Sequence, residues 1–286
     1  MSKYTSFRSS INIQTKNNII DFSTPKIMGI LNLSSDSFFD GGKYNTNKKI
    51  IQRCKKMITE GADIIDIGAN SSRPGSKPIS QKKELKLLLP VINLLKEIFS
   101  DIIISVDTWR SNVAKECLKN SADIINDISA GELDPKIIHV IAKSQAPYII
   151  THMRGNPGNM QNKPYYDNVV DDISSYLQNK IDRIKKDGVT KIIIDPGFGF
   201  GKTIEHNYIL LNNLKVFKKF KLPILVGTSR KSMIYKPLGL SPKKSLNGTT
   251  VTHTLALQGG ANILRVHDVK EAKECIKILN FANNII

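Results

Sequence analysis

The sequence has few cysteines, and their positions argue against structures that depend on thiols. There are three, Cys54, Cys117 and Cys275, and no two of them form a C-x-x-C pair. A disulfide framework or a zinc ribbon is therefore not expected. The five histidines show no i, i+4 pair, so we expect no transition-metal site built by the protein alone. All three cysteines fall in helix-like stretches, which predicts buried thiols in a reducing compartment.

Long apolar stretches are also absent. No run of 18 or more apolar residues occurs, which predicts a protein without a membrane span. The first 18 residues, MSKYTSFRSSINIQTKNN, lack the apolar core of a secretory signal. We therefore expect a cytoplasmic protein that does not act at a membrane.

Acidic residues are scarce relative to basic ones. The 25 Asp and Glu face 42 Lys and Arg, which gives a formal net charge of +17 and raises the hypothesis of nucleic-acid binding. The lysine pairs, however, are scattered along the chain and lie mostly on the polar faces of predicted helices. No aromatic residues interleave with them, as a base-stacking surface requires. We therefore expect solvated surface charge and no nucleic-acid partner.

An alternation of short apolar runs with longer amphipathic stretches dominates the sequence. The eight apolar runs are typical of strands in a covered parallel sheet. They cover residues 27–31, 64–67, 102–106, 124–128, 148–151, 192–194, 224–227 and 263–266. Helix candidates cover residues 47–60, 80–99, 110–120, 135–144, 168–187, 204–220, 247–259 and 268–282. Eight such units predict an α/β protein with the (β/α)8 TIM-barrel fold, with an open doubly wound sheet as the alternative.

No linker or composition break divides the chain, so we expect a single barrel domain over residues 1–286. Residues 1–25 form an extension before the first barrel strand. Within it, Ile11–Phe22 with a turn at Asn17-Asn18 predicts a β-hairpin. We expect this hairpin to plug the bottom of the barrel.

Polar residues that could take part in binding or catalysis cluster where the predicted strands end. A barrel carries its chemistry in the loops that follow the carboxyl ends of its strands. A single Asp at a strand end is more often a helix cap, but here every predicted strand ends in such residues. They are Asn32, 70–75, Asp107, 126–127, 152–154, 195–202, 228–232 and 265–268. This common register predicts the functional site.

Three of these residues, Asp107, Asn126 and Asp195, are predicted to converge near the barrel mouth. A carboxylate accepts two N–H groups side by side, and an amide offers one donor and one acceptor. The three side chains therefore suit a flat heterocycle with an amidine-like edge. Capping or loop bracing is the alternative for each of them.

A second group of strand-end residues is suited to anions. Arg265, His267 and Arg73 are cations on different strands, and with Asn32 they could hold a phosphate or diphosphate group. Pairing with acidic neighbours such as Asp268 is the alternative. A magnesium ion held mainly by a substrate diphosphate is compatible with this group.

The glycine-rich segment 195–202 does not match a phosphate loop. A Walker motif ending at Lys202 would place a glycine where the chain has Pro196. We interpret the segment as a pocket wall in which Phe198 or Phe200 packs on an aromatic substrate. No serine nucleophile elbow is present either, since the segment 227–230 lacks the closing glycine.

Nine segments of the sequence resemble the dihydropteroate synthase family, in the same order and with suitable spacing from about residue 26 onward. They are Met28–Asn32, Asp36–Gly42, Ser72–Gly75, Ser105–Thr108, Asn126–Ile128, His152-Met153 with Gly155–Pro157, Asp195–Lys202, Ser229–Ser232 and Arg265–His267. This resemblance implies a transferase of folate synthesis that condenses 6-hydroxymethyl-7,8-dihydropterin pyrophosphate with 4-aminobenzoate, giving 7,8-dihydropteroate and pyrophosphate. It also implies a magnesium cofactor, a homodimer and competition by sulfonamides.

The resemblance further implies a role for individual residues. The pterin ring is bound by Asp107, Asn126, Asp195 and Lys231, with Met153 and Phe200 packing nearby. The diphosphate is held by Asn32, Arg265 and His267, and Asn32 is the metal ligand. Loops that carry Phe38 and Asp40, and Arg73 and Pro74 with the substrate-binding Ser72, close over the site. Together with Lys231 and Ser232, the closed loops shape the amine pocket. The catalytic residues by this resemblance are Asp40, Arg73, Asp107 and Lys231.

The chain departs from the family pattern at several positions beside the site. Asn70 stands where the family more often has Glu, and Ala69 replaces a glycine. Two other functions stay open at this point. One is pterin-dependent methyl transfer, which has no use for the Arg-x-His pair, and the other is pterin binding without catalysis.

Overall fold

The computed structural model describes residues 11–33, 47–70 and 78–284. Ten strands and nine α-helices lie within these ranges. The strands are β1 (Asn12–Gln14), β2 (Ile19–Asp21), β3 (Lys26–Asn32), β4 (Ile64–Gly68), β5 (Ile103–Asp107), β6 (Ile124–Asp127), β7 (Tyr148–Thr151), β8 (Ile192–Asp195), β9 (Leu225–Val226) and β10 (Ile263–Val266). The helices are α1 (Asn47–Thr59), α2 (Gln81–Ile98), α3 (Ser111–Lys119), α4 (Lys136–Ser144), α5 (Val169–Lys186), α6 (Ile204–Asn212), α7 (Ser232–Tyr235), α8 (Leu246–Gln258) and α9 (Val269–Asn284).

The strands β3 to β10 form one parallel barrel. Each strand from β3 to β7 pairs with the next, and β10 pairs with both β3 and β9. The ring closes between β8 and β9, where Ile194 bridges Ile224 and its N–H donates to the carbonyl of Pro223 at 3.0 Å. The predicted (β/α)8 barrel is therefore confirmed, and the open sheet is excluded.

The interior of the barrel is apolar at its amino-terminal end. One buried residue from each strand lies in this cluster: Met28, Ile64, Ile103, Ile124, Ile149, Ile193, Leu225 and Ile263. The antiparallel hairpin of β1 and β2 packs Ile13, Ile20 and Phe22 against the same cluster. The predicted hairpin and its place below the barrel are thus confirmed, which leaves the carboxyl end for ligands.

The helices surround the barrel and begin and end largely where their sequence signals lie. Ser80 caps α2 by accepting the N–H of Lys83 at 3.3 Å, and Gly61 and Gly188 adopt positive φ after α1 and α5. The predicted helix over 204–220 is wrong in one respect. It divides after α6, where the Asn213 side chain donates to the carbonyl of Ile209 at 2.8 Å, and a 3-10 helix follows.

No helix within the described ranges has the length and apolar character needed to cross a membrane. All three cysteines are buried and free, as their sequence context predicts. The expectation of a single domain stays a prediction.

Candidate active site

An arginine and two aspartates form the floor of the site at the carboxyl end of the barrel. The guanidinium of Arg265 lies between two strands, with Nε 2.7 Å from Asp66 Oδ2 and Nη2 2.9 Å from Asp107 Oδ2. The alternative, pairing with acidic neighbours, holds for Arg265 with the buried Asp66 and Asp107, whereas Asp268 forms two 2.8 Å bonds with Arg230. Arg265, a predicted diphosphate residue, therefore contacts Asp107, a predicted pterin-binding residue.

Asp66 is a site residue that the sequence reasoning missed. It is fully buried, and its carboxylate accepts the hydroxyl of Ser105 at 2.6 Å and the amide of Asn126 at 3.2 Å as well as Arg265 Nε. Asp66 thereby fixes both Arg265 and Asn126. The available signal was an acidic residue inside the apolar run of β4.

The two predicted pterin-binding carboxylates lie in poorly solvated positions. Burial raises the pKa of Asp107 to about 7, and the neighbouring Arg265 opposes this rise. Burial also raises the pKa of Asp195, against the positive charge of Lys231. One oxygen of Asp195 accepts the N–H of Gly197 at 2.7 Å. Such carboxylates gain much from N–H donors that a ligand brings.

Lys231 lies beside Asp195 and against the aromatic wall. Its ammonium donates to the carbonyl of Phe198 and lies 4.7 Å from the centroid of the Phe200 ring. Burial lowers its pKa to about 8, while Asp195 acts in the opposite direction. Ser232, which follows Lys231 directly, begins α7.

An apolar cluster lines the mouth above β5 to β8. Ile128, Met160 and Phe200 are buried, and Trp109 and Met153 pack against them. Met153 and Phe200 were predicted, whereas the other three were missed. Trp109 is the only tryptophan of the chain, and its place in a strand-end loop was the available signal.

The glycine-rich segment after β8 is held by a buried lysine. The ammonium of Lys202 lies 2.8 Å from the carbonyl of Gly197, 3.1 Å from that of Phe200 and 3.0 Å from His152 Nδ1. Gly197 has φ +77°, and a Cβ there would lie 1.9 Å from the carbonyl oxygen of His152. Phe198 is fully buried in the core. Of the two predicted aromatic residues, Phe200 is therefore the one that faces the site.

The predicted diphosphate residues lie at the ends of β3 and β10, next to Ser229 in the segment after β9. The hydroxyl of Ser229 is 3.1 Å from His267 Nδ1 and accepts the N–H of His267 at 3.2 Å. Burial and Arg265 lower the pKa of His267 to about 3, so its ring is neutral near pH 7. The expectation that His267 is a cation is wrong for this arrangement. It is a hydrogen-bonding group next to the cation Arg265.

Asn32 is the predicted ligand of a magnesium ion. Asn32 is the last residue of β3. Its Oδ1 lies beside Gly68, and the Asp107 side chain lies beside the same glycine. The described residues contain no group of three His, Cys, Asp or Glu side chains that could hold a metal ion. One amide oxygen agrees with an ion whose other ligands are diphosphate oxygens and water.

Five predicted residues, Phe38, Asp40, Ser72, Arg73 and Pro74, lie outside the described residues. Asn70 and Ile79, which flank positions 72–74 in the sequence, are held by hydrogen bonds. Asn70 accepts the N–H of Ile79 at 3.0 Å, and Arg110 donates to the carbonyl of Ile79 at 2.7 Å and pairs with buried Glu84.

Comparisons with known proteins agree with this geometry. Residues 28–267 match the family model described as "Pterin binding enzyme". The chain is 42% identical over 262 residues to the dihydropteroate synthase of Escherichia coli strain K12, covering 91% of this chain and 92% of that protein. It is 43% identical over 255 residues to that of Synechocystis sp., covering 88% of each.

Solved structures of similar proteins also align over nearly the whole chain. Dihydropteroate synthase of Yersinia pestis, solved with a sulfonamide drug complex, has a TM-score of 0.93 and 39% identity and covers 96% of this chain and 100% of its own. That of Xanthomonas albilineans with 4-aminobenzoic acid has a TM-score of 0.87 and 33% identity, covering 98% and 99%.

Proposed function

The chain belongs to the family of pterin binding enzymes, and on that premise we propose that it is a transferase that catalyses the dihydropteroate synthase reaction. In this reaction 6-hydroxymethyl-7,8-dihydropterin pyrophosphate and 4-aminobenzoate give 7,8-dihydropteroate and pyrophosphate. The named relatives match almost the whole of the barrel and carry this activity in their names.

The observation that carries the proposal is the division of the barrel mouth into two halves. Above β5 to β8 lie the apolar cluster of Met153 and Phe200 and the buried carboxylates Asp107 and Asp195. Above β9, β10 and β3 lie polar and cationic groups around Arg265 and His267. A flat heteroaromatic ring with N–H donors and an anionic tail fits these two halves together.

We assign the ring to the first half. Asp195 and Asp107 accept N–H groups of the pterin, and Asn126, which Asp66 orients, supplies a further polar contact. Phe200 and Met153 pack on the ring faces, and Lys231 contacts both the ring edge and the substrate in the neighbouring amine pocket. These roles follow the family pattern at the matching positions.

Leaving-group departure then drives the reaction. The bond between the pterin methylene and the diphosphate oxygen breaks, and its electron pair stays on the diphosphate. The electron-rich pterin stabilises the cation-like methylene, and the aromatic amine attacks it and forms the new C–N bond. The amine then loses one proton to water. No strong base or covalent nucleophile is needed, because Arg265 stabilises the charge that develops on the leaving group.

We propose that magnesium, held by Asn32 and the substrate diphosphate, neutralises phosphate charge when bound. Arg265 pairs with two carboxylates, and we propose that the diphosphate takes the place of Asp107 at its Nη atoms while Asp66 retains Nε.

The amine pocket and the assembly remain proposals from the family pattern. Ser232 and the residues at positions 38, 40 and 72–74 are proposed to enclose 4-aminobenzoate, for which sulfonamides compete. We also propose a cytoplasmic homodimer.

The proposal is tested by incubating the protein with pterin pyrophosphate, magnesium and 4-aminobenzoate and measuring condensed product by chromatography. We expect product with this substrate and none with the pterin alcohol, which lacks the leaving group. Tight pterin binding without product would instead support the non-catalytic alternative. Methyl transfer is disfavoured by the braced Arg265–His267 segment, for which a methyl donor has no use.

A further inference from the structure

A buried arginine outside the barrel mouth has no role in the mechanism above. Arg53 lies on the inner face of α1 and is only 8% exposed. Its Nη2 donates to the carbonyl oxygen of His267 at 2.8 Å. Its Nε is buried and has no hydrogen-bond partner among the residues that the structure describes. The ion pairs formed among the described residues do not include Arg53.

A guanidinium in such a position is costly. Buried charges in proteins are normally paired with an opposite charge or fully hydrogen-bonded, because burial removes their hydration. One carbonyl oxygen satisfies one of the five N–H groups of Arg53 and supplies no negative charge. A residue that only joined α1 to the barrel would not need this charge. An anion that arrives with a ligand would supply the missing partner charge.

The hydrogen bond from Arg53 to His267 indicates the chemical class of this ligand. His267 follows β10, and the loops after the last two barrel strands are where barrels of this type commonly bind phosphate. His267 is held from two directions. Ser229 holds its N–H and its ring, and Arg53 holds its carbonyl oxygen. Arg53, on helix α1, therefore fixes the main chain at His267 in the diphosphate half of the site.

We propose that Arg53 is a positioning residue of the leaving-group subsite, which holds the His267 main chain and supplies positive charge toward the bound diphosphate. The inference rests on the proposed function, because the diphosphate is the substrate's leaving group. Arg53 does not touch the reacting atoms. It acts through His267 and through its charge.

Three substitutions separate charge from hydrogen bonding. Arg53→Lys keeps the charge and a donor, Arg53→Gln keeps a donor without charge, and Arg53→Met keeps neither. Arg183→Gln, at an exposed position in the last turn of α5, removes one positive charge far from the site and serves as the control.

For each protein, calorimetry gives the affinity for inorganic pyrophosphate with magnesium and for the pterin alcohol, and a thermal melt gives Tm. We expect pyrophosphate affinity to fall about tenfold or more in the Gln and Met variants and to stay within about threefold of wild type in the Lys variant. Pterin alcohol affinity should stay within about twofold in all of them. The control should bind both ligands as wild type does.

Equal pyrophosphate affinity in wild type and Arg53→Gln would overturn the inference, as would a parallel loss of both ligands together with Tm. If Arg53→Met does not fold, the comparison of Lys with Gln still decides, because both retain a donor for His267. A wild-type protein that makes no dihydropteroate would reject the proposed function instead, so the two failures are distinguishable.

Discussion

Burial brings the pKa values of two side chains of the site, Asp107 and Lys231, close to neutral. Burial raises the pKa of Asp107 to about 7 and lowers that of Lys231 to about 8, in each case against an oppositely charged neighbour. Asp107 is therefore partly protonated and Lys231 largely charged at pH 7. Both groups must hold their charged forms to bind the pterin as proposed.

Pterin affinity should consequently depend on pH on both sides of neutrality. Below about pH 7, binding displaces a proton from Asp107, so affinity rises by up to about tenfold per pH unit as pH increases and then levels off. Above about pH 8, Lys231 loses its proton and affinity falls. Calorimetry with the pterin alcohol should show a maximum between these values. Asp107→Asn should abolish the acid limb and Lys231→Met the alkaline limb; a flat profile in wild type would contradict both assignments.

Asp195 serves the ligand more than the fold. We expect Asp195→Asn to weaken pterin binding by roughly 2–4 kcal/mol, because the new amide donor would face a pterin N–H. The Gly197 N–H can still be accepted by the remaining amide oxygen, so Tm should change little. Calorimetry and a thermal melt on the one variant measure both effects.

Asp127 provides the matched control for that variant. It is also a buried strand-end aspartate, but it accepts two bonds from Ser129, one from Gly131 and one from the hydroxyl of Tyr148. Asp127→Asn should therefore lower Tm and leave pterin affinity nearly unchanged. If Asp195→Asn behaves in the same way, Asp195 only braces its loop.

The sequence predicts single site residues well where the strand register decides their position. Asp107 and Asn126 lie near the carboxyl ends of adjacent strands and pair in register, so their convergence follows from parallel strands alone. Asp66, Trp109 and Arg53 were missed for different reasons. Asp66 is hidden in an apolar strand, Trp109 contacts residues from other loops, and the contact of Arg53 joins positions 214 residues apart.

At the scale of elements, the segment 195–202 depends on Lys202 for its shape. We expect Lys202→Met to reduce the free energy of unfolding by about 2–4 kcal/mol, because the carbonyl groups of Gly197 and Phe200 lose their buried donor. Pterin affinity should fall as well, since Phe200 belongs to the ring-binding wall. Urea unfolding measures the first effect. Lys185→Met on the exposed end of α5 is the control, and equal stability of the two variants would contradict this role.

Helices and strands were predicted closely because their periodicity is strong. β7 and β10 have the bounds that their apolar runs predict. The continuous helix over 204–220 was wrong. Asn213 leaves the helical backbone conformation directly after α6, and an apolar pattern that continues past this residue does not reveal the break.

At the scale of the whole molecule, the hairpin and the site lie at opposite ends of the barrel. Phe22→Ala should reduce the free energy of unfolding by about 3–5 kcal/mol, because this side chain is fully buried against the barrel interior. The pterin affinity of the folded protein should not change. Ile19→Ala, on the same hairpin but 64% exposed, is the control for denaturant unfolding. A change of pterin affinity in Phe22→Ala alone would contradict this separation of stability from binding.

The residues of the two halves of the barrel mouth are also synthesised at different times during translation. The ring-binding carboxylates are all present once Asp195 has been synthesised, whereas Arg265 and His267 arrive about seventy residues later with β10. Until then β3 has an unpaired edge, which β10 covers in the finished barrel. A chain released before β10 would therefore lack the leaving-group subsite and expose a strand edge that invites aggregation.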